Sequence, residues 1–255
     1  MIRSRNYQTD AIVLRYRAIG EADRLVTFYS SSLGRIVGVA RGARRPKSRF
    51  GGTLEPLNHV QVSLSRGRTL DTITESTGLR IFGNLKADLK LIAEGLYIAE
   101  LVDTFGDDWA PNKDMFTSFL KHLFILNSTV TSPMATRMFE MRLLACCGFL
   151  PEFQICVECN NRLEPSGYAF SPQLGGVICK DCSMEYDPQR LNISFNGMKV
   201  VRWLQNHVNF DDFMHDNKIA LETQREVEAV MRVYLRYVAE RELRSTRFLD
   251  LLNSL

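Results

Sequence analysis

Four cysteines carry the most specific chemistry in the 255-residue sequence. Cys156 and Cys159 form one C-x-x-C pair and Cys179 and Cys182 a second, with 19 residues between the pairs. Two thiolates three positions apart on a tight knuckle can point at one ion. Two such knuckles supply the tetrahedral S4 set that Zn²⁺ accepts at about 2.3 Å. Four protein ligands leave no open position, so one structural zinc ion is expected. Asn160 suits a turn that needs a left-handed residue. A disulfide pair, or four unrelated buried thiols, is the competing reading of the same residues. Cys146 and Cys147, in the apolar stretch MRLLACCGF, are expected to be packed thiols.

The second group is cationic. Arg41, Arg44, Arg45, Lys47 and Arg49 lie within RGARRPKSRFGG, which holds no acid and whose Gly42, Pro46, Gly51 and Gly52 predict a flexible loop. Arg24, Arg35, Arg66 and Arg68 fall on neighbouring strands or turns. Arg forks hold phosphates, and Tyr16, Phe28, Tyr29 and Phe50 are candidate base-stacking rings. Charge partition agrees: residues 1–80 carry 14 Lys+Arg against 6 Asp+Glu, and the rest of the chain 18 against 23. A basic segment joined to a mildly acidic body favours a polyanionic partner, nucleic acid first, with a membrane surface or an acidic protein as alternatives.

Covalent catalysis has little support. No G-x-x-x-x-G-K-[ST] or G-x-G-x-x-G motif occurs, and His59, His122, His207 and His215 lack ligand spacing. Asp107-Asp108 and Asp211-Asp212 fall in predicted helix breaks and read as caps or solvated charge. No set of nucleophile, base and orienting group emerges.

The elements that must hold these groups follow from hydrophobic period. Period-two patterning predicts strands over residues 9–17, 24–30, 35–40, 57–64 and 69–77, with turns at 31–34 and 65–68. Five short strands in about 80 residues close most naturally as a small barrel, which removes exposed edges. From residue 81 the period becomes helical. One helix is expected through Phe105, a second over 112–126, and a third opened by Ser132-Pro133 and ended at Gly148. A fourth spans 197–208, capped by Ser194. Thr223-x-x-Glu226 matches a capping box and predicts one long helix towards Leu252. Its arginines (Arg225, Arg232, Arg236, Arg241, Arg244, Arg247) interleave with glutamates as an exposed salt-bridged face, with residues 241–247 a candidate secondary phosphate contact. Residues 167–170 and 175–178 read as a hairpin inside an irregular stretch, 151–187. The expected plan is therefore 1–80, a basic barrel; 81–150 with 188–255, a helical domain; and 151–187, a ribbon inserted in it. An apolar fraction of 45% and a charged fraction of 24% fit a folded globular chain. Neither a membrane span nor a secretory pattern is present, so a cytoplasmic protein with reduced or metal-bound cysteines is expected.

The order of these features resembles a known family. GEADRLVTFYS (20–30), LGRIVGVARGARRPKSRFGG (33–52), LEPLNHVQV (54–62) and the four cysteines, with Phe170-Ser171-Pro172 between the pairs, are similar to the bacterial recombination mediators of the RecO family. The resemblance spans essentially the whole chain. It implies an α+β protein: an N-terminal five-stranded OB-fold barrel, then an α-helical domain with an inserted four-cysteine zinc ribbon. It further implies a non-enzymatic protein of DNA repair and homologous recombination in the RecF pathway, cytoplasmic and nucleoid-associated. Such a protein binds single- and double-stranded DNA and anneals complementary strands. With RecR it assists loading of RecA onto DNA coated by single-strand-binding protein, whose C-terminal tail it binds on the helical domain. Arg35, Arg41, Arg44, Arg45, Lys47 and Arg49 fall on the segment that the family associates with DNA. An RNA-binding or transcription-associated barrel–ribbon module, and a protein scaffold, are the alternatives.

Overall fold

A computed structural model of the chain describes residues 5–128, 133–163, 167–184, 190–206 and 219–253. The chain folds as two compact units. One comprises residues 1–131 together with Leu243–Leu255, and the other is Ser132–Glu242.

The first unit is built on a closed barrel of β1 (Asn6–Ile19), β2 (Asp23–Ser30), β3 (Gly34–Ala40), β4 (His59–Ser65) and β5 (Asp71–Arg80), in the order β1-β2-β3-β5-β4. All five expected strands form. The fifth is displaced towards the C-terminus, because Leu70 is exposed at the turn and pairing with β4 runs on to His59↔Arg80. β1 is long enough to pair with β4 through residues 6–12 and with β2 through residues 11–19, with a bulge between Val13 and Arg15. Two parallel pairs, Gly38↔Asp71 and Val39↔Thr72, close the ring. The interior is aliphatic and aromatic: Val13, Val26, Phe28, Ile36, Val60, Val62, Leu64 and Ile73, with Phe50 and Leu54 inserted from the β3–β4 connection.

Alternation alone would leave one face of β1 wet, yet Ala11, Ile12, Val13 and Leu14 are all buried. Helix α2 (Leu89–Phe105) packs on β1 and covers its outer face. The expected single helix from residue 81 is two: α1 (Gly83–Ala87) ends at extended Asp88, whose carboxylate then accepts from the Lys90 and Leu91 amides and caps α2. Asn112 caps α3 (Lys113–Leu126) by accepting from Met115 N at 3.0 Å.

The second unit contains α4 (Pro133–Cys146), a three-stranded sheet, α5 (Phe195–Asn206) and α6 (Leu221–Ala239). The sheet is β6 (Tyr168–Ser171), β7 (Gly176–Ile178) and β8 (Leu191–Ile193), in the order β7-β6-β8. The hairpin is as expected, and β8 is an addition: three residues are too few for an alternation to register. Ser194 caps α5, accepting from Gly197 N at 3.0 Å. Ser132, the expected cap of α4, lies outside the described residues. So do Val208, His207, His215 and Asp211-Asp212. Cys146 and Cys147 are half-buried rather than fully packed.

Two readings of the C-terminal region are corrected. Helix α6 starts at Leu221 after Ala220, so Thr223 is a buried first-turn residue and not a cap. Glu226 instead accepts from Ser194 N and, at 2.6 Å, from Ser194 Oγ. The long helix also breaks: Glu240 takes a left-handed φ of 52°, and α7 (Arg244–Asn253) begins afresh in the first unit. There Glu100 of α2 accepts from the Arg244 amide at 2.9 Å and the Ser245 amide at 2.8 Å. A carboxylate at a helix N-terminus satisfies its orphan donors and meets the positive end of its dipole. The salt-bridged face of α6 is present, for example in Arg232–Glu228 at 2.8 Å.

Candidate metal centre and cationic surface

The cysteine site begins with two backbone knuckles. In the first, Cys156 N donates to Asn161 O and Asn160 N to Cys156 O, both at 2.9 Å, with Asn160 left-handed at φ 60° as its residue type suggested. In the second, Ser183 N donates to Cys179 O at 3.0 Å. The sheet brings the knuckles together. Val157 N donates to Val177 O at 3.0 Å, and Gly176 passes so close that a Cβ there would stand 2.4 Å from Val157 Cγ1. Below the ribbon, Phe170 stacks on Phe153 at 5.7 Å and meets Tyr234 of α6 edge-on at 5.5 Å.

All four Sγ atoms lie within 4.8 Å of one another, with Cys159 and Cys179 at 3.9 Å. A regular tetrahedron with metal–sulfur bonds of about 2.3 Å has edges of about 3.8 Å. The observed cluster therefore matches a shared metal, while a disulfide would need about 2.05 Å. Electrostatics point the same way at Cys156. Burial pushes its thiol up, but amides of Cys159, Cys179 and Glu158 aimed at the sulfur outweigh that and bring it down to about 6. One of these contacts is Cys179 N to Cys156 Sγ at 3.4 Å. The Cys182 thiol is raised, first because it donates to the Cys179 sulfur, then by burial and by bonds to the Cys159 and Cys156 sulfurs. A metal ion would take over those protons' role, since bound ligands are thiolates.

The cationic residues divide into two sets. Arg41, Arg44, Arg45, Lys47 and Arg49 are exposed, and none has an ion-pair partner among the described residues. Their loop is tied down by backbone hydrogen bonds. Gly42 N donates to Asp23 Oδ1 at 2.8 Å and Arg44 N to Ala22 O at 2.9 Å, tying the loop to the β1–β2 turn. Internal turns follow, Arg45 N to Gly42 O and Ser48 N to Arg45 O. Asp23 is the residue that sequence reasoning missed, since nothing local links it to a glycine amide 19 positions on.

Arg24 and Arg35 are already engaged. Arg24 pairs with Glu55 at 2.7 Å and lies 3.9 Å over the Tyr16 ring. Arg35 Nε meets Asp108 at 2.6 Å and its Nη1 reaches the Asp103 carbonyl. The Asp108 hydrogen bond, partly offset by burial, raises its affinity for the proton. Asp108 is thus an ion-pair partner and not merely solvated. Arg66 sits with its guanidinium 5.1 Å from both the Tyr7 and the Trp109 rings, and Arg68 is exposed at the same turn. Of the four candidate stacking rings only Tyr16 is exposed. Phe28 and Phe50 belong to the barrel core, and Tyr29 is buried on the opposite face of its strand, against Gly106.

A family model described as Recombination protein O N terminal matches residues 1–82, and one described as Recombination protein O C terminal matches residues 86–247. The chain belongs to the RecO family. It is 38% identical over 249 residues to the DNA repair protein RecO of Roseiflexus sp. (strain RS-1), covering 98% of this chain and 87% of that one. It is 34% identical over 253 residues to the DNA repair protein RecO of Dehalococcoides mccartyi (strain ATCC BAA-2266 / KCTC 15142 / 195), covering 99% and 98%. To that of Desulforamulus reducens (strain ATCC BAA-1160 / DSM 100696 / MI-1) it is 31% identical over 244 residues, covering 96% and 94%. The RecO N-terminal match coincides with the barrel, which is an OB-fold, and the α+β architecture with its four-cysteine cluster is as expected. RecO membership supports a role in DNA repair and recombination. Among the described residues no helix is long and apolar enough to cross a membrane.

Proposed function

We propose that this chain is a recombination mediator that holds single- and double-stranded DNA through its barrel and lets complementary strands anneal. The single observation that carries the reading is the row of five exposed cations on an anchored loop. Positive side chains without ion-pair partners among the described residues are free to replace the counterions of a phosphate backbone, and a loop tied to the barrel loses little entropy on doing so. Neutralising two strands at once lowers their repulsion, so bases meet and pair without any covalent step. Arg68 and Arg66 extend the surface along the barrel. Arg24 and Arg35 belong to it only if DNA competes with their carboxylates.

The four sulfurs would hold one structural zinc ion, which fastens the ribbon over residues 151–187. The N-terminal module of residues 1–80 would grip DNA while the helical body of 81–150 and 188–255 serves partners. By the family resemblance those partners are RecR and the C-terminal tail of single-strand-binding protein, through which RecA is loaded in the RecF pathway of the bacterial cytoplasm. The test is a strand-annealing assay with complementary oligonucleotides, bare and coated by single-strand-binding protein. Acceleration of both reactions at low salt is the expected result. Absence of acceleration on bare strands overturns the annealing reading. Equal binding of RNA would move the protein to the transcription-associated class.

A further inference from the structure

We propose that Trp109, with Arg66 and Tyr7, forms a stacking platform for an unpaired nucleobase of single-stranded DNA. The inference rests on the DNA-binding reading above and adds to it a contact outside the basic loop.

Trp109 lies in the connection between α2 and α3, far in sequence from the barrel strands. The connection is zipped to the start of β3: Arg35 N donates to Asp107 O at 3.0 Å and Trp109 N to Arg35 O at 3.2 Å. The approach is so close that a Cβ on Gly34, itself at φ 71°, would stand 2.3 Å from Ala110 O. Trp109 is thus held rigidly against the barrel. It is held at a cost, since its own φ is 59°, a left-handed conformation that bulky residues rarely adopt.

That strain does not serve to bury the indole, which remains 44% exposed. The Arg66 guanidinium stands 5.1 Å from its ring centroid, and Tyr7 packs against it in a T-shaped pair at a 5.8 Å centroid distance. Tyr7 is fixed in turn by donating to Asp71 at 2.5 Å. The Arg66 Nε is buried and makes no hydrogen bond among the described residues, so the aromatic rings are what the guanidinium packs on. The result is a preorganised aromatic surface beside a cation. The exposed part of the indole offers a π-face beside that cation. Bases of an unpaired strand present π-faces of any sequence, whereas a duplex keeps its bases stacked inside.

The test compares the wild-type chain with Trp109→Gly and Trp109→Phe, using oligo(dT) and a duplex of equal length. Glycine suits φ 59°, so that variant keeps the backbone without the ring. Trp109→Gly is expected to bind oligo(dT) about 5- to 150-fold more weakly, the range of one base stack, with duplex affinity and the salt slope unchanged. The intrinsic fluorescence response to oligo(dT) is expected to persist in Trp203→Phe and vanish in Trp109→Phe. Equal oligo(dT) affinity in Trp109→Gly, parallel loss for duplex, or a surviving response in Trp109→Phe overturns the platform and leaves the basic loop as the binding site. Failure of the wild-type chain to bind either DNA overturns the DNA reading itself.

Discussion

Replacing Arg44 and Arg45 together by alanine tests the cationic loop at two of its five exposed cations. Five exposed loop cations, if each displaces a counterion from a single strand, give log K against log salt a slope of about −3.5. Raising salt from about 50 to about 200 mM would then weaken binding by about 130-fold in the wild-type chain. With two cations gone the slope falls to about −2.1 and the same salt step costs about 20-fold. The fold is expected to be unaffected. The tie between this loop and the β1–β2 turn uses the Arg44 amide, which alanine retains, and the side chain adds only an exposed 3.3 Å contact to Gly20 O. Exposed substitutions of this kind change stability by about 0.5 kcal/mol or less. Fluorescence anisotropy with labelled oligonucleotides across about 50–300 mM salt supplies both slopes. The loss should be similar for unrelated sequences, because backbone contacts carry no base information. A double variant whose slope equals that of the wild-type chain refutes the argument and moves the phosphate contacts elsewhere.

Arg35→Ala should behave in the opposite way: Asp108 loses its partner and the Asp103 carbonyl a donor, while the Asp103 carboxylate keeps Arg15, so thermal unfolding should show a loss of about 1 kcal/mol. Unchanged stability with reduced DNA affinity would return Arg35 to the binding surface. Cys179→Ser removes one of the four clustered sulfurs, and metal analysis should show less than one equivalent of zinc while the barrel still binds DNA; a full retained equivalent contradicts the ligand set. Glu100→Ala deletes the acceptor of the Arg244 and Ser245 amides, and hydrogen exchange should show α7 opening more readily, by about 1–3 kcal/mol, with α3 unaffected. Equal protection of α7 in the variant would show that apolar packing alone holds it.

Much of the molecule was legible from local pattern. Strand period, the glycine-bearing loop, the cysteine spacing and the Ser194 cap each depend on residues a few positions apart, and each stands where expected. Asn160 is a good instance, since a left-handed turn is a property of one residue and its neighbours. The capping box at Thr223 was misread for the same reason. The motif is local, but Glu226 found a stronger partner in Ser194, 32 residues earlier. The continuous helix beyond it failed at Glu240, where no glycine or proline marks the break.

What the linear chain determined about this protein is therefore its inventory: a basic barrel, two C-x-x-C pairs and membership of a recombination family. Which arginines are free, which rings are wet and which loop residue reaches the barrel came from folding. Arg35 and Arg45 are indistinguishable as letters, yet one faces two aspartates and the other faces water. Phe50 and Trp109 are both loop aromatics, yet one fills the core and the other stands exposed beside Arg66. Burial and ion pairing are long-range relations, set by which segments close the barrel and what packs over it, and a residue's neighbours in sequence carry no record of them.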